Sequence, residues 1–248
     1  MTQSQSVMSR AVQAVDLDAA RWHIARGLAW ALLLLPIPLM IGVMALGVAS
    51  MDAFHSLLDE DHPIEWLQFF VILAAVPAFL MAAVRANRMG RRGLAAIYVV
   101  VAVGCFVTAG EEISWGQRVL GFATPAELEP INHQGESNIH NISLVQHAFN
   151  VGELLAGLYG LIIPIAWLQP DVRRRLGRWI DPLLVPPLCL IALFFLPFAY
   201  RTVRYIFFID AGQRITELGE VPELAFYLAV LVMGIATVRA LRPGPSAA

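Results

Sequence analysis

Long apolar runs separated by short polar segments set the pattern of this chain. Six stretches, 27–49, 64–84, 93–110, 144–168, 182–200 and 222–240, approach the roughly 20 helical residues needed to cross a hydrocarbon core of about 30 Å. The third is the shortest and is predicted to continue as helix into the segment that follows Gly110. Residues 1–20 are polar and carry no apolar core of a cleavable signal, so the run after Arg21 and Arg26 is expected to act as an uncleaved anchor. The pattern predicts an all-α integral membrane protein, a bundle of about six transmembrane helices. It divides into a polar N-terminal segment 1–26, one transmembrane domain 27–242 with a polar loop 111–143 on the outer side, and a short tail 243–248.

Composition agrees. Hydrophobic residues make up 58% of the 248 residues and charged residues 15%, well below the quarter or so usual for soluble domains. Mean hydropathy is +0.66. All 17 basic residues are arginine, which fits a GC-rich coding bias. Cys105 and Cys189 each lie inside an apolar run and behave as small hydrophobes, so neither a disulfide framework nor a cysteine metal site is expected.

Charge distribution is more informative than the net charge of -2. With the N-terminus inside, thirteen arginines fall on the cytoplasmic side, and Arg118, Arg201, Arg204 and Arg214 fall outside. The positive-inside rule then puts both termini in the cytoplasm of a bacterial inner membrane. Trp22, Trp167 and Trp179 are expected at the inner interface, with Trp66 and Trp115 at the outer one. Of the acidic residues only Asp16, Asp18, Asp171 and Asp181 lie inside. Orientation does not require that bias, because acidic residues contribute little to it. Prolines recur within the apolar runs as ordinary membrane-helix kinks. No internal repeat, nucleotide-binding glycine motif, HExxH or basic nucleic-acid stripe is present, so nucleic acid is excluded as a partner.

Four separate polar segments fall on the outer side. Residues 59–66 (DEDHPIEW) enter the second run, where Pro63 and the carboxylates suit a helix start, and His62 and Glu65 are candidates for a chemical role. Residues 111–118 (EEISWGQR) follow the third. If helix continues there, Glu111, Ser114, Trp115 and Arg118 share a face and Arg118 neutralises Glu111. Glu112 then lacks a local partner and calls for a metal ion, an arginine from elsewhere, or a retained proton. In residues 132–141 (NHQGESNIHN), Glu136 and His140 have the spacing of a ligand pair or an oriented histidine, with His133 close by. His140, Ser143, His147, Asn150 and Glu153 continue as a polar stripe into the fourth run, carrying Glu153 about half-way into the core at 1.5 Å per residue. Finally Arg201, Arg204, Asp210, Arg214, Glu217, Glu220 and Glu223 surround the last connection. The arginines there suit Glu111, Glu112 or a phosphate, and Glu217 and Glu220 are candidates for the same site.

The acidic entry at 59–66, the EEISWGQR segment and the later Asn-x3-Glu-x3-His-Asn together resemble a family of bacterial polytopic membrane proteins over most of residues 55–155. That resemblance implies no activity and assigns no residue roles. The embedded Glu, Ser and His also resemble, loosely, the ceramidase and adiponectin-receptor-like membrane hydrolases. The seventh helix and late His-x3-His pair of those hydrolases are missing here.

The leading expectation is a metal-dependent hydrolase or transferase acting on a lipid or lipid-linked substrate. Zinc or iron would be held by Glu112, Glu136, His140 and His147. Glu111, Glu112, Glu136 and His147 are the candidate acid/base groups, and Trp115, Arg118, Arg201 and Arg204 the candidate substrate contacts. The alternatives are a proton- or cation-coupled transporter working through Glu153, His147 and Glu112, and a structural scaffold of the cell envelope.

Overall fold

A computed structural model describes residues 7–58, 63–126, 132, 137–139, 142–207 and 213–242; the side chains of Arg118, Gln213 and Arg214 also lie outside the described part. Every regular element among these residues is helical: α1 (Val7–Arg21), α2 (Arg26–Leu34), α3 (Pro36–Ala49), α4 (Met51–Leu58), α5 (Pro63–Arg88), α6 (Arg92–Glu112), α7 (Gln117–Leu120), α8 (Ser143–Trp167), α9 (Pro170–Leu176), α10 (Ile191–Phe207), α11 (Gln213–Glu217) and α12 (Glu220–Ala240). Six candidate spans result. The first is α2 with α3, the second α5, the third α6, the fourth α8, the fifth α10 with the turn before it, and the sixth α12.

Local chemistry sets the boundaries. The first span breaks at Leu35, just before Pro36 and Pro38, which have no N–H to give the ladder. Gly90 ends α5 at φ +76°, and Arg91 N donates back to Ala86 O at 2.9 Å, a left-handed helix stop that glycine accommodates. The fifth span starts at Leu188 rather than 182 and runs on to Phe207. Pro182, Pro186 and Pro187 keep the chain before it irregular. By contrast Pro77, Pro164 and Pro197 sit inside continuous helices.

The spans pack as a row. α6 lies against α5, α5 against α12, α12 against α10, and α10 against α8, while the first span leans mainly on α10. Between α5 and α6 the contact is made by small residues, with Ala75, Ala82, Ala86, Ala102 and Ala109 all buried, which lets two backbones approach closely without water to drive them together. Gly160 does the same for α8 and α10: a Cβ there would stand 2.1 Å from the Phe194 ring. Leu39, Val48, Phe70, Val100, Leu155 and Ile162 point outward instead, an apolar exterior suited to lipid.

Contacts gather the arginine-bearing turns at one end. Arg21 Nη2 donates to Pro182 O at 3.2 Å, Leu188 N donates to Asp18 Oδ2 at 2.7 Å, and Arg239 Nη1 donates to His23 O at 2.9 Å. Arg91 pairs with Asp181 at this end as well. Two of the tryptophans expected in the interfacial belt are instead inside the protein: Trp22 is 1% exposed and Trp167 7%. The reason for Trp22 is that α1 folds back onto the start of the fifth span. Trp179, at 89% exposure, does face outward.

Candidate functional site

The helix expected to carry EEISWGQR as one face ends at Glu112. Ser114, Trp115 and Gly116 follow with φ of +47°, +55° and +83°, a left-handed turn that reverses the chain. The reversal lays the Trp115 ring against Gly110, where a Cβ would be only 2.8 Å away, and sets it edge-on to Phe106. Trp115 Nε1 donates to Glu111 Oε1 at 2.6 Å, and Ile139 N donates to Glu111 Oε2 at 2.7 Å. Glu111 is therefore a pin between α6 and the loop. Around it Asn138 Nδ2 donates to Ser114 Oγ at 3.1 Å and Asn132 Nδ2 to Asn138 Oδ1 at 2.9 Å. Gln117 Nε2 donates to Thr124 Oγ1 at 2.9 Å. Among the described residues of this stretch, Glu111, Ser114, Trp115, Asn132 and Asn138 are engaged in this knot.

Glu112 turns the other way, into the bundle. Tyr227 Oη lies 2.6 Å from Glu112 Oε1 and 3.0 Å from Glu223 Oε1. Arg201 presents Nε and Nη2 to Glu153 Oε2 at 2.6 and 2.5 Å, and its Nη2 lies 3.8 Å from Glu223 Oε2. The groups thus run Glu112, Tyr227, Glu223, Arg201, Glu153, linking α6, α12, α10 and α8 across the row. Gln68 of α5 joins at the side, donating from Nε2 to Glu220 Oε2 at 3.0 Å and to Glu220 O at 2.9 Å. Gln68 is 0% and Glu153 7% exposed, and Gln68 Oε1 and Glu153 Oε1 are buried acceptors without a donor among the described residues.

Comparison with protein-family models, with curated proteins and with solved structures finds no match in any of the three. The site has to be read from its own chemistry.

Several expected partnerships are rearranged. Arg201 pairs with Glu153 and Glu223, not with Glu111 or Glu112, because α10 neighbours α8 and α12 while α6 is packed on α5. Arg204 Nη1 donates to Thr216 Oγ1 at 3.1 Å. His147 packs edge-on against Tyr205, with the rings 5.8 Å apart, and takes no part in the carboxylate network. Glu136, His140, His62, His133 and Asp210 lie outside the described residues, as do the side chains of Arg118 and Arg214. Among the described residues no three metal-ligating groups come together, and Glu112 and His147 have different partners. Two expected candidates are reassigned: Glu220 belongs to the network, whereas Glu217 sits 3.0 Å from His55 Nδ1. Sequence reasoning missed Gln68 and Tyr227. Gln68 carried a signal, as an amide four residues into an otherwise apolar run; Tyr227 carried none, since a lone tyrosine in a membrane helix is common.

Proposed function

We propose that this chain is a multi-pass protein of a bacterial inner membrane, its arginine-rich end and both termini in the cytoplasm, that couples the movement of a small solute to a proton or monovalent cation. One observation carries this reading: a continuous polar path, Glu112 to Tyr227 to Glu223 to Arg201 to Glu153, crosses four helices within an apolar bundle. Ionisable groups at such depth are costly and are held by membrane proteins chiefly along ion and substrate paths. The path also has more acceptors than donors. Tyr227 has one phenolic hydrogen for two carboxylate oxygens within 2.6 and 3.0 Å, and Glu153 Oε1 has no donor among the described residues. A mobile proton or a small cation fills such vacancies, and Arg201, drawn to both Glu153 and Glu223, is placed to respond when one of them is neutralised.

The test is flux in proteoliposomes. Under an imposed membrane potential, wild-type vesicles should take up protons, sodium or potassium faster than protein-free vesicles. Glu153→Gln and Glu112→Gln should reduce that uptake at least tenfold. Equal flux in wild-type, variant and protein-free vesicles overturns the reading. The metal-dependent hydrolase on lipid-linked substrates remains a separate proposal resting on Glu136 and His140. Stoichiometric zinc or iron in the purified protein, lost in Glu136→Ala and His140→Ala, would favour it over transport.

A further inference from the structure

At the end opposite the carboxylate path the fold forms an open concave cavity of about 550 Å³ beside the close of the fourth span. Its lining includes Arg21, Arg173, Arg174 and Arg178 together with Trp167 and Pro182, and contains no carboxylate. Three separate pieces of chain build it: the last residue of α1, the end of α8, and α9 with the turn after it. Arg21 is fixed rather than trailing in solvent, since Nη2 donates to Pro182 O and its guanidinium stands 5.5 Å above the Trp22 ring. Arg174 is paired with Asp171. The nearby Asp181 is taken by Arg91 and by the Leu183 N–H. Arg173 and Arg178 have no carboxylate partner among the described residues, so the cavity carries a surplus of guanidinium donors facing one concave space.

The surroundings identify which anion belongs there. Trp167, 7% exposed, forms an apolar wall. Beside the lining residues in sequence, Ile165 and Leu168 are half exposed and Trp179 is 89% exposed, an apolar rim near the end of the fourth span. An ion from the aqueous phase has no use for that rim, whereas a lipid sets its phosphate among the arginines and its acyl chains along α8. We propose that this cavity is a binding site for the phosphate head group of an anionic phospholipid, with Arg21, Arg173 and Arg178 as the phosphate contacts and Trp167 as the wall between head group and chains. Guanidinium forks match phosphate oxygens in pairs, and basic pockets at the ends of membrane helices favour anionic lipids for that reason. The proposal is independent of the transport reading and of the direction in which the bundle is inserted.

The experiment is native mass spectrometry of the full chain released from detergent, titrated with phosphatidylglycerol, phosphatidylcholine or inorganic phosphate. Arg173→Gln and Arg178→Gln are prepared alongside Arg88→Gln and Arg92→Gln, exposed arginines of the same end that do not line the cavity. Phosphatidylglycerol is expected to bind more tightly than phosphatidylcholine, and each cavity variant should weaken it about fivefold, the equivalent of one basic residue at a membrane surface. The control variants should leave it within twofold. Equal losses in cavity and control variants would reduce the effect to general surface charge and overturn the proposal. Absence of any preference for phosphatidylglycerol would overturn it too, as would inorganic phosphate displacing nothing while phosphatidylcholine binds equally well. Inorganic phosphate bound as tightly as phosphatidylglycerol would show a site for the free anion and refute the lipid assignment.

Discussion

Arg201 and Glu153 meet inside the bundle, two guanidinium nitrogens converging on the single oxygen Oε2 while Oε1 of the same carboxylate has no donor among the described residues. Both side chains are largely removed from solvent, at 14% and 8% exposure. A buried pair of this kind costs about as much to desolvate as it regains, but removing one partner strands the other charge. Arg201→Ala should therefore lower stability by about 3–5 kcal/mol, and adding Glu153→Gln should recover a large part of that loss. Thermal unfolding in detergent reads both. An Arg201→Ala no more damaging than the exposed Arg88→Ala would contradict the pairing.

Tyr227→Phe removes the hydroxyl shared by Glu112 and Glu223, so that the part-buried carboxylate it serves loses its donor. A cost of about 1–3 kcal/mol is expected for such a group. Tyr159→Phe is the control, because that hydroxyl donates to Leu184 O at a more exposed position and should cost about 0.5–1.5 kcal/mol. The two midpoints, measured side by side, decide whether the hydroxyl of Tyr227 matters beyond an ordinary hydrogen bond.

Two glycines of α8 should respond oppositely to alanine. At Gly160 the new Cβ would lie 2.1 Å from the Phe194 ring, so α8 and α10 must separate, at about 1–3 kcal/mol. Nothing lies within 4 Å of a Cβ at Gly152. Alanine there should be neutral or stabilising by up to about 1 kcal/mol through helix propensity. Phe194→Leu should rescue Gly160→Ala. Equal effects of the two alanines would show that close packing of α8 on α10 is not what Gly160 serves.

Asp18 gives a pH signature outside the spans. Burial pushes its carboxyl above the ordinary 3.8, outweighing the Leu188 N–H and the Arg21 charge, which pull it down. The folded chain then holds this proton more tightly than the unfolded chain. Its contribution to stability is present below the ordinary value and is lost as pH rises through the raised folded value. Asp18→Asn keeps an acceptor for the Leu188 N–H and removes the buried charge, so its stability relative to wild type should be highest at neutral pH and shrink as pH falls towards 3.8. A relative stability that grows on acidification would mean that the hydrogen bond and Arg21, rather than burial, dominate.

The six spans and the gathering of arginines at the turns between them were legible in the chain because crossing a hydrocarbon slab is nearly a one-dimensional requirement, met or failed by the run of residues itself. The prolines within the runs were read alike as kinks, which did not distinguish Pro36, where a new helix begins after the break at Leu35, from Pro77, which sits inside a continuous helix. The end of α6 was misjudged because Ser114 and Trp115 adopt positive φ, a conformation these residues rarely choose and which the Glu111, Gly110 and Ile139 contacts impose from outside. The partners of the polar residues were not legible in the chain. Glu111 and Glu112 are adjacent in sequence, but one closes a surface loop and the other enters the bundle, since neighbours on a helix point about 100° apart. Which arginine meets which carboxylate depends on which helices adjoin, and lipid-facing apolar surfaces look alike along the chain. Only the packing of α10 on α8 brought Arg201 to Glu153, and only the packing of both α6 and α12 on α5 brought Tyr227 within reach of Glu112.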